Sequence, residues 1–235
     1  ARLSGAVVHV ISVIIPTHNE SRALPATLAR LFQQSGDFEV IVVDGGSSDD
    51  TRQLAAREPR VHLLVAPKGR AAQMNAGVAV AAGTWLLFLH AGTLLPADGL
   101  ATIRGLDERC HAGCFRQRFS GNDWRLRLIS YSHNLRCRWT RIIYGDQAMF
   151  VRRSMFEALG GFPAQPILED VLFSEKLVRA TRRVLLDSYV VADARKFLQM
   201  GIWKSFGRVF LIMLCFELRL PLARLPAQRF FKDIR

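Results

Sequence analysis

The chain has 235 residues, half of them hydrophobic (50%), and a formal net charge of +12. That length suits one large α/β domain or two small ones with a sizeable core, and one domain with a C-terminal extension is the reading adopted. The longest apolar stretch, Val209 to Phe216, is well short of the ~20 residues a membrane-spanning helix needs, and the four cysteines form no paired CxxC framework.

In chain order, "VVHVISVII" is a β-branched run and reads as a first strand, without the pattern of a signal peptide. "LPATLARLFQQ" has helical spacing, "FEVIVVD" is a buried strand, and "DDTRQLAARE" is a helix with acids in its first turn. "VHLLVA" is a strand, "GRAAQMNAGVAVAA" a small-residue helix and "WLLFLH" a strand again. This alternation predicts an α/β fold with a mostly parallel central sheet and helices on both faces. In such sheets the ligand sits beyond the carboxyl ends of the strands. Polar residues gather at those ends, in "PTHNE", "DGGSSDD", "PKGR" and "HAGT". Neither G-x-G-x-x-G nor G-x-x-x-x-G-K-[ST] is present, so a dinucleotide fingerprint and a P-loop are both excluded.

After Thr93 the rhythm loosens. A helix is expected after Pro96, a half-exposed strand at "CFRQRFS", a basic aromatic helix at "DWRLRLISYSHNLRCRWTR", a strand at "AMFVRR" and a helix at "LEDVLFSEKLVRA". "RRVLLD" and "YVVADA" read as two short strands on the far side of the domain. Ile202 to Leu218 reads as a helix with Trp203, Phe206, Phe210, Leu214 and Leu218 near one face. Lys and Arg number 8 against 8 Asp and Glu in residues 1–100, and 24 against 12 in residues 101–235. An excess confined to the second half points to a polyanionic partner or to a solvated basic surface. No recognition helix and no aromatic platform accompanies it, so nucleic acid is not expected as that partner.

Three groups carry candidate chemistry. Asp44 closes an apolar strand before two glycines and two serines. Such a carboxylate needs hydrogen-bond donors, supplied either by a nucleobase N–H or by its own loop amides, while Asp49 and Asp50 read as caps of the next helix. Arg70 opens the helix of "GRAAQMNAG", and a guanidinium at a helix N-terminus is a natural diphosphate cradle. Glu169 and Asp170 begin a helix after the loop "GGFPAQP". Acids there favour the helix dipole, but a carboxylate at such a rim can also take the proton of an attacking hydroxyl. Asp170 is the candidate base, with Glu169 holding the acceptor or the loop.

"SVIIPTHNE", "VIVVDGGSSDDT", "GRAAQMNAG", "LLFLHAGT", "YGDQAMFVRR" and "GGFPAQPILEDVLFSEKL" together resemble a family 2 glycosyltransferase, most closely the radical-SAM/selenodomain-associated subgroup. The resemblance runs from about Val10 to about Ala194. It implies a GT-A nucleotide-diphospho-sugar transferase fold over residues 1–196, with a nucleotide-binding half at 7–95, an acceptor half at 96–196, and a basic, apolar helical extension at 197–235. It further implies an inverting, metal-dependent reaction on a nucleoside diphosphate sugar. Pro16, Thr17, Asn19 and Glu20 would then line the nucleotide pocket, Asp44 would meet the base, Arg70 the base or diphosphate, and Gln147 and Asp146 the acceptor side.

One position departs from the family pattern. Where the family ends this strand in an acid that holds the metal, the chain has Gly92. Mg²⁺ and Mn²⁺ prefer oxygen ligands, so His90 alone is a poor substitute. Three explanations stay open: a carboxylate from elsewhere, such as Asp146 or Asp98; cations such as Arg70, Arg195 and Lys196 in the metal's place; or weak catalysis, as in a nucleotide-sugar-binding pseudoenzyme. The C-terminal helix and the basic segment before it would suit a lipid or membrane-surface acceptor, or else sheet packing or a homodimer contact. The expected location is cytoplasmic, free or peripheral at the inner membrane face.

Overall fold

The structure, a computed structural model, describes residues 10–165 and 167–218, without the side chains of Lys196, Cys215 and Glu217. The start of the expected first strand, residues 7–9, therefore lies outside the described residues. The chain runs β1 (Ile11–Thr17), α1 (Leu24–Leu31), β2 (Phe38–Asp44), α2 (Thr51–Ala56), β3 (Val61–Val65), α3 (Arg70–Val80) and β4 (Trp85–Phe88). It continues through β5 (Thr93–Leu94), α4 (Gly99–Arg104), β6 (Ala112–Phe119), α5 (Trp124–Thr140), a 3₁₀ turn (Gly145–Gln147), β7 (Phe150–Arg152) and α6 (Arg153–Ala158). The last elements are α7 (Glu169–Ala180), β8 (Arg183–Ala192), α8 (Arg195–Met200) and α9 (Ile202–Glu217).

The strands form one sheet in the order β3-β2-β1-β4-β7-β6-β8-β5. β1 pairs parallel with β2 and β4, β2 with β3, and β6 with β8, whereas β7 runs antiparallel to β4 and β6, and β5 antiparallel to β8. Reversal at β7 restores the direction at β6. As a result β1, β2, β3, β4, β6 and β8 all end at one pole, at Thr17, Asp44, Val65, Phe88, Phe119 and Ala192. Seven consecutive residues of β1 are buried, as a strand covered by helices on both faces requires. One core joins Ile11, Val13, Ile15, Trp85 and Phe115 with α1; the opposite face joins Ile14, Val43, Met74, Phe156 and Phe173 with α3, α6 and α7.

The expected short strands "RRVLLD" and "YVVADA" are a single strand, β8. Its register against β6 shifts between Phe115 and Arg116, so Asp187 and Ser188 form a bulge that a sequence scan reads as a break. The end of β8 also lies at the polar pole, not on the far side. Cys114 and Cys137 pack with their Sγ atoms 3.8 Å apart between β6 and α5.

Gly77 allows α3 its close approach to the sheet. A Cβ there would lie 2.6 Å from Ile14 Cγ2 and 3.2 Å from Val43 Cγ2. Alanine gains about 1 kcal/mol of helix propensity, but overpacking a closed core costs about 1–3 kcal/mol. Gly77→Ala is expected to lower the midpoint of urea unfolding; an unchanged or raised midpoint would show that α3 moves away freely.

Candidate functional site

The pole where six strands end opens into a cleft of about 520 Å³, lined by Pro16, Thr17, Asn19, Glu20, Lys68 and Arg70 on one side and by His90, Gly92, Asp146, Asp193 and Arg195 on the other. Its first wall is built by cross-linking two loops. Asn19 N donates to Ser47 Oγ at 2.9 Å, Ser48 N to Asn19 Oδ1 at 2.8 Å, and Glu20 N to Thr51 Oγ1 at 2.8 Å. Asp49 accepts from Ser21 N at 3.1 Å and from Thr51 N at 3.0 Å. Partial burial alone would raise the Asp49 pKa, but these donors and the Thr51 hydroxyl hold it down to about 2. Asp49 thus caps α2, whereas Asp50 makes no side-chain cap.

Asp44 is fully buried at the tip of β2 and accepts from Gly46 N at 2.9 Å, Ser47 N at 3.0 Å and the Ser47 hydroxyl. The donors from its own loop are thus in place, and Asp44 is not among the residues lining the cleft. Gln73 fastens α3 to the same rim: its Nε2 donates to Thr17 O at 2.8 Å and Val43 O at 2.7 Å, between the ends of β1 and β2. Arg70, one turn earlier, is held at the cleft.

Arg70 and Glu169, expected on the donor and acceptor sides, are an ion pair, Nε to Oε1 at 2.7 Å, with the Glu169 side chain 2% exposed and that of Arg70 36%. Burial would lower the Arg70 pKa, but Glu169, Asp170 and Asp146 together raise it, so the guanidinium stays charged among carboxylates. Leu168, with φ +60°, turns the chain into α7 and directs both acids inward. Of the four non-glycine residues described in the left-handed region, Asn19, Ala148 and Leu168 adjoin this cleft, the distribution expected where a site is held by its surroundings.

Asp170 Oδ2 accepts from Gly145 N at 2.5 Å and Oδ1 from Val171 N at 2.9 Å. A side chain on Gly145 would meet His90 Nε2 at 2.7 Å and Asp170 Oδ2 at 3.1 Å, so the glycine lets the imidazole and the carboxylate converge. Asp146, the next residue, faces the cleft. Burial pushes its pKa up; His133 lowers it and Asp170 raises it further. Gln147 is 1% exposed and accepts from Tyr144 N at 3.1 Å, closing the 3₁₀ turn rather than lining the cleft.

Position 92 faces a residue that the sequence reading passed over. A Cβ on Gly92 would lie 3.2 Å from Asp193 Cβ and 3.9 Å from Asp193 Oδ2, and Asp193 N donates to Gly92 O at 2.9 Å. Asp193 thus brings a carboxylate beside the place where the family's metal-holding acid would stand. That carboxylate is already held by Arg195, through the guanidinium Nε and through Arg195 N at 2.8 Å. Among the described residues no three His, Cys, Asp or Glu side chains gather closely enough to hold a metal ion. Asp146, Asp193 and His90 nevertheless line one cleft, and a cation shared with a donor's phosphates takes only one or two protein carboxylates, so Asp146 and the Arg195-paired Asp193 are the carboxylates that would hold one. Asp98 lies outside the cleft lining, and the Lys196 side chain lies outside the described residues. The signal for Asp193 was its spacing in "ADAR", hidden because "YVVADA" read as a distant strand.

Of the expected α9 face, Phe206 turns inward onto a small core with Leu126, Ile129 and Ile202, while Trp203, Phe210, Leu214 and Leu218 are exposed. No helix of the described residues is long and apolar enough to cross a membrane.

Arg70→Ala leaves the Glu169 carboxylate buried without its cation. With Arg70 itself partly in solvent, the cost is expected to be about 2–3 kcal/mol. The double variant Arg70→Ala, Glu169→Gln is expected to recover at least half, because the stranded charge is gone. Chemical denaturation of the three proteins checks this; equal losses in the single and double variants would mean the pair adds no coupling.

The family model described as "Glycosyl transferase family 2" matches residues 12–160. A PGL/p-HBAD biosynthesis glycosyltransferase of Mycobacterium bovis is 43% identical over 102 residues, 40% of this chain and 40% of that protein. A validoxylamine A glucosyltransferase of Streptomyces hygroscopicus is 36% identical over 105 residues, 40% of this chain and 23% of that protein. The chain thus spans well under half the length of these relatives. Among solved structures, S. aureus TarS 1–349 in complex with UDP-GlcNAc superposes with a TM-score of 0.64 at 22% identity, covering 79% of this chain and 58% of that one. The mannosyltransferase PcManGT from Pyrobaculum calidifontis, in complex with GDP-Man and Mn²⁺, superposes at 0.62 with 23% identity, covering 77% and 56%. These likenesses establish the GT-A-type architecture, and the matched 12–160 segment spans the donor-side rim and the Gly145 turn: the chain belongs to glycosyl transferase family 2.

Proposed function

We propose that the chain moves a sugar from a nucleoside diphosphate sugar to a hydroxyl acceptor with inversion at the anomeric carbon. The observation that carries the reading is the Arg70–Glu169 pair, which joins the diphosphate-binding helix start to the helix bearing Asp170. The nucleotide lies along the Pro16–Glu20 wall near Asp44, and the diphosphate faces Lys68, Arg70 and the α3 N-terminus. Asp170 takes the proton of the acceptor hydroxyl. The freed oxygen pair forms the new bond to the anomeric carbon on one face as the bond to the diphosphate oxygen breaks on the other, and the leaving group departs with that bonding pair.

A carboxylate accepts at about four lone-pair positions, so the donors from Gly145 and Val171 orient Asp170 without exhausting it. Glu169 positions Arg70, and Asp146 borders the acceptor side. With Asp193 paired to Arg195, we assign the negative charge on the departing diphosphate to fixed cations, Arg195 among them. The ordered motifs favour the radical-SAM/selenodomain-associated subgroup, and the exposed face of α9 favours an acceptor at a membrane surface or, as its other use, a homodimer contact. A second reading, a nucleotide-sugar-binding pseudoenzyme, is favoured by Gly92 alone.

Asp170→Asn is expected to lower turnover by about 10²–10⁴-fold while calorimetry shows nucleoside diphosphate binding unchanged. Unchanged turnover would remove Asp170 from the mechanism, and absence of turnover in the parent chain across nucleotide sugars would favour the pseudoenzyme. In the parent chain, nucleoside diphosphate affinity is expected to be the same with Mn²⁺ and with chelator. Gly92→Asp, which sets a second carboxylate beside Asp193 and near His90, is expected to gain Mn²⁺ binding by electron paramagnetic resonance titration. Strong Mn²⁺ enhancement of nucleotide binding in the parent would overturn the fixed-cation assignment.

A further inference from the structure

Helix α5 has an outward face with no partner among the described residues. It carries Arg127 and Arg138 and no acid, while Arg125 is paired with Asp123 and Arg136 turns inward onto the Tyr144 ring. Trp124, Leu128, Tyr131, Leu135 and Trp139 recur at intervals of three and four and form one stripe. Trp124 and Tyr131 are each 65% exposed and Trp139 75%. Two tryptophans on a single helix in such exposure are far from the ordinary scatter of surface apolar residues.

Beside the stripe lies a groove of about 750 Å³ between α5 and the outer ends of β6 and β8, lined among others by Arg116, Arg118, Arg127, Arg138, Tyr131 and Tyr189. β6 loses its β7 partner after Gly113. There α5 takes over the strand edge: Asn134 Oδ1 accepts from Gln117 N at 2.9 Å, Asn134 Nδ2 donates to Gln117 O at 2.8 Å, and Ser130 Oγ accepts from Phe119 N at 3.1 Å. The helix is thus locked in one rotation, with its aromatic stripe and arginines turned outward. Among the described residues Arg116 is the groove cation with an acid, the exposed Asp187 at 2.6 Å. Arg127 donates to the Asn122 carbonyl, at 3.0 Å. Phe119 lines both this groove and the nucleotide cleft, so an occupant would lie next to the reaction site.

We infer that the α5 face is a membrane-docking surface for anionic phospholipid, with the Trp124–Trp139 stripe entering the headgroup–acyl boundary and the groove arginines holding lipid phosphates. Arginine forks match phosphate oxygens two at a time, and a helix with aromatics on one face and arginines flanking them is built to lie in the interface plane. This rests on the membrane-surface acceptor proposed above and gives it a location on β6 and α5 as well as on α9.

The test uses the full chain and flotation with vesicles of phosphatidylcholine alone or of phosphatidylcholine with phosphatidylglycerol. Binding is expected only with phosphatidylglycerol. Changing Arg118, Arg127 and Arg138 together to Gln is expected to lower partitioning by about a hundredfold, as is Trp124→Ser with Trp139→Ser. The same loss of charge at Arg52, Arg57 and Arg109 is expected to change it little. Nucleoside diphosphate binding by calorimetry stays unchanged in every variant, so loss of lipid binding and failure of the sugar-transfer reading are told apart. Equal loss in the remote variant, or no binding to phosphatidylglycerol vesicles, would overturn the inference. So would release of bound protein by glycerol phosphate at low concentration, which would mark the groove as a site for a soluble phosphorylated ligand instead.

Discussion

The ion pair between Arg70 and Glu169 is the contact on which the site's geometry depends. α3 belongs to the parallel βαβ half, and α7 follows the antiparallel β7. Each helix brings its N-terminus to the pole where six strands end, and this pair connects the two ends directly. A carboxylate 2% exposed is stable there because the guanidinium is beside it. The guanidinium in turn remains available to an anion because part of it faces the cleft. One interaction therefore sets the distance between the two places proposed for a diphosphate and for a base.

Around that pair the charges are arranged in small, locally balanced sets. Asp49 is held by amides and hydroxyls, Asp170 by the Gly145 amide, and Asp193 by Arg195. Gly145 and Gly92 matter by what they omit, since a side chain at either would run into His90 and Asp170 or crowd Asp193. At position 92 the arrangement supports the fixed-cation reading proposed above. Where the resemblance implies an acid that collects a metal, the chain keeps an acid next door and has already neutralised it with a guanidinium. Fixed cations carry their charge without a loading step, and they stabilise a leaving diphosphate only if held in place, as Asp193 holds Arg195.

The basic excess of the second half follows the same logic at a larger scale. Residues 101–235 carry 24 basic against 12 acidic side chains, and several converge on α5 and the free edge of β6. Asn134 and Ser130 act there as a substitute strand, which fixes the rotation of the helix and hence the direction in which its tryptophans point. Surface charge and backbone satisfaction are thus linked: the side chains that close the sheet edge also orient the aromatic stripe.

Much of the fold was legible because buried parallel strands and their helices alternate with a regular period, and polar residues collect only at strand ends. The first four strands and three helices, the rim, and the proximity of Arg70 to the Asp44 loop follow from that pattern. The sequence by itself also determined that position 92 lacks its acid. The tertiary structure alone decided that Asp44 turns into its own loop, that Gln147 closes a turn, that Glu169 pairs with Arg70, and that Asp193 stands across from Gly92. The reason is physical: periodicity reports which face of an element is buried, but not where a bulge such as that at Asp187 and Ser188 resets a strand. Nor does it report which of several nearby donors a carboxylate meets, since that depends on chain segments a hundred residues apart.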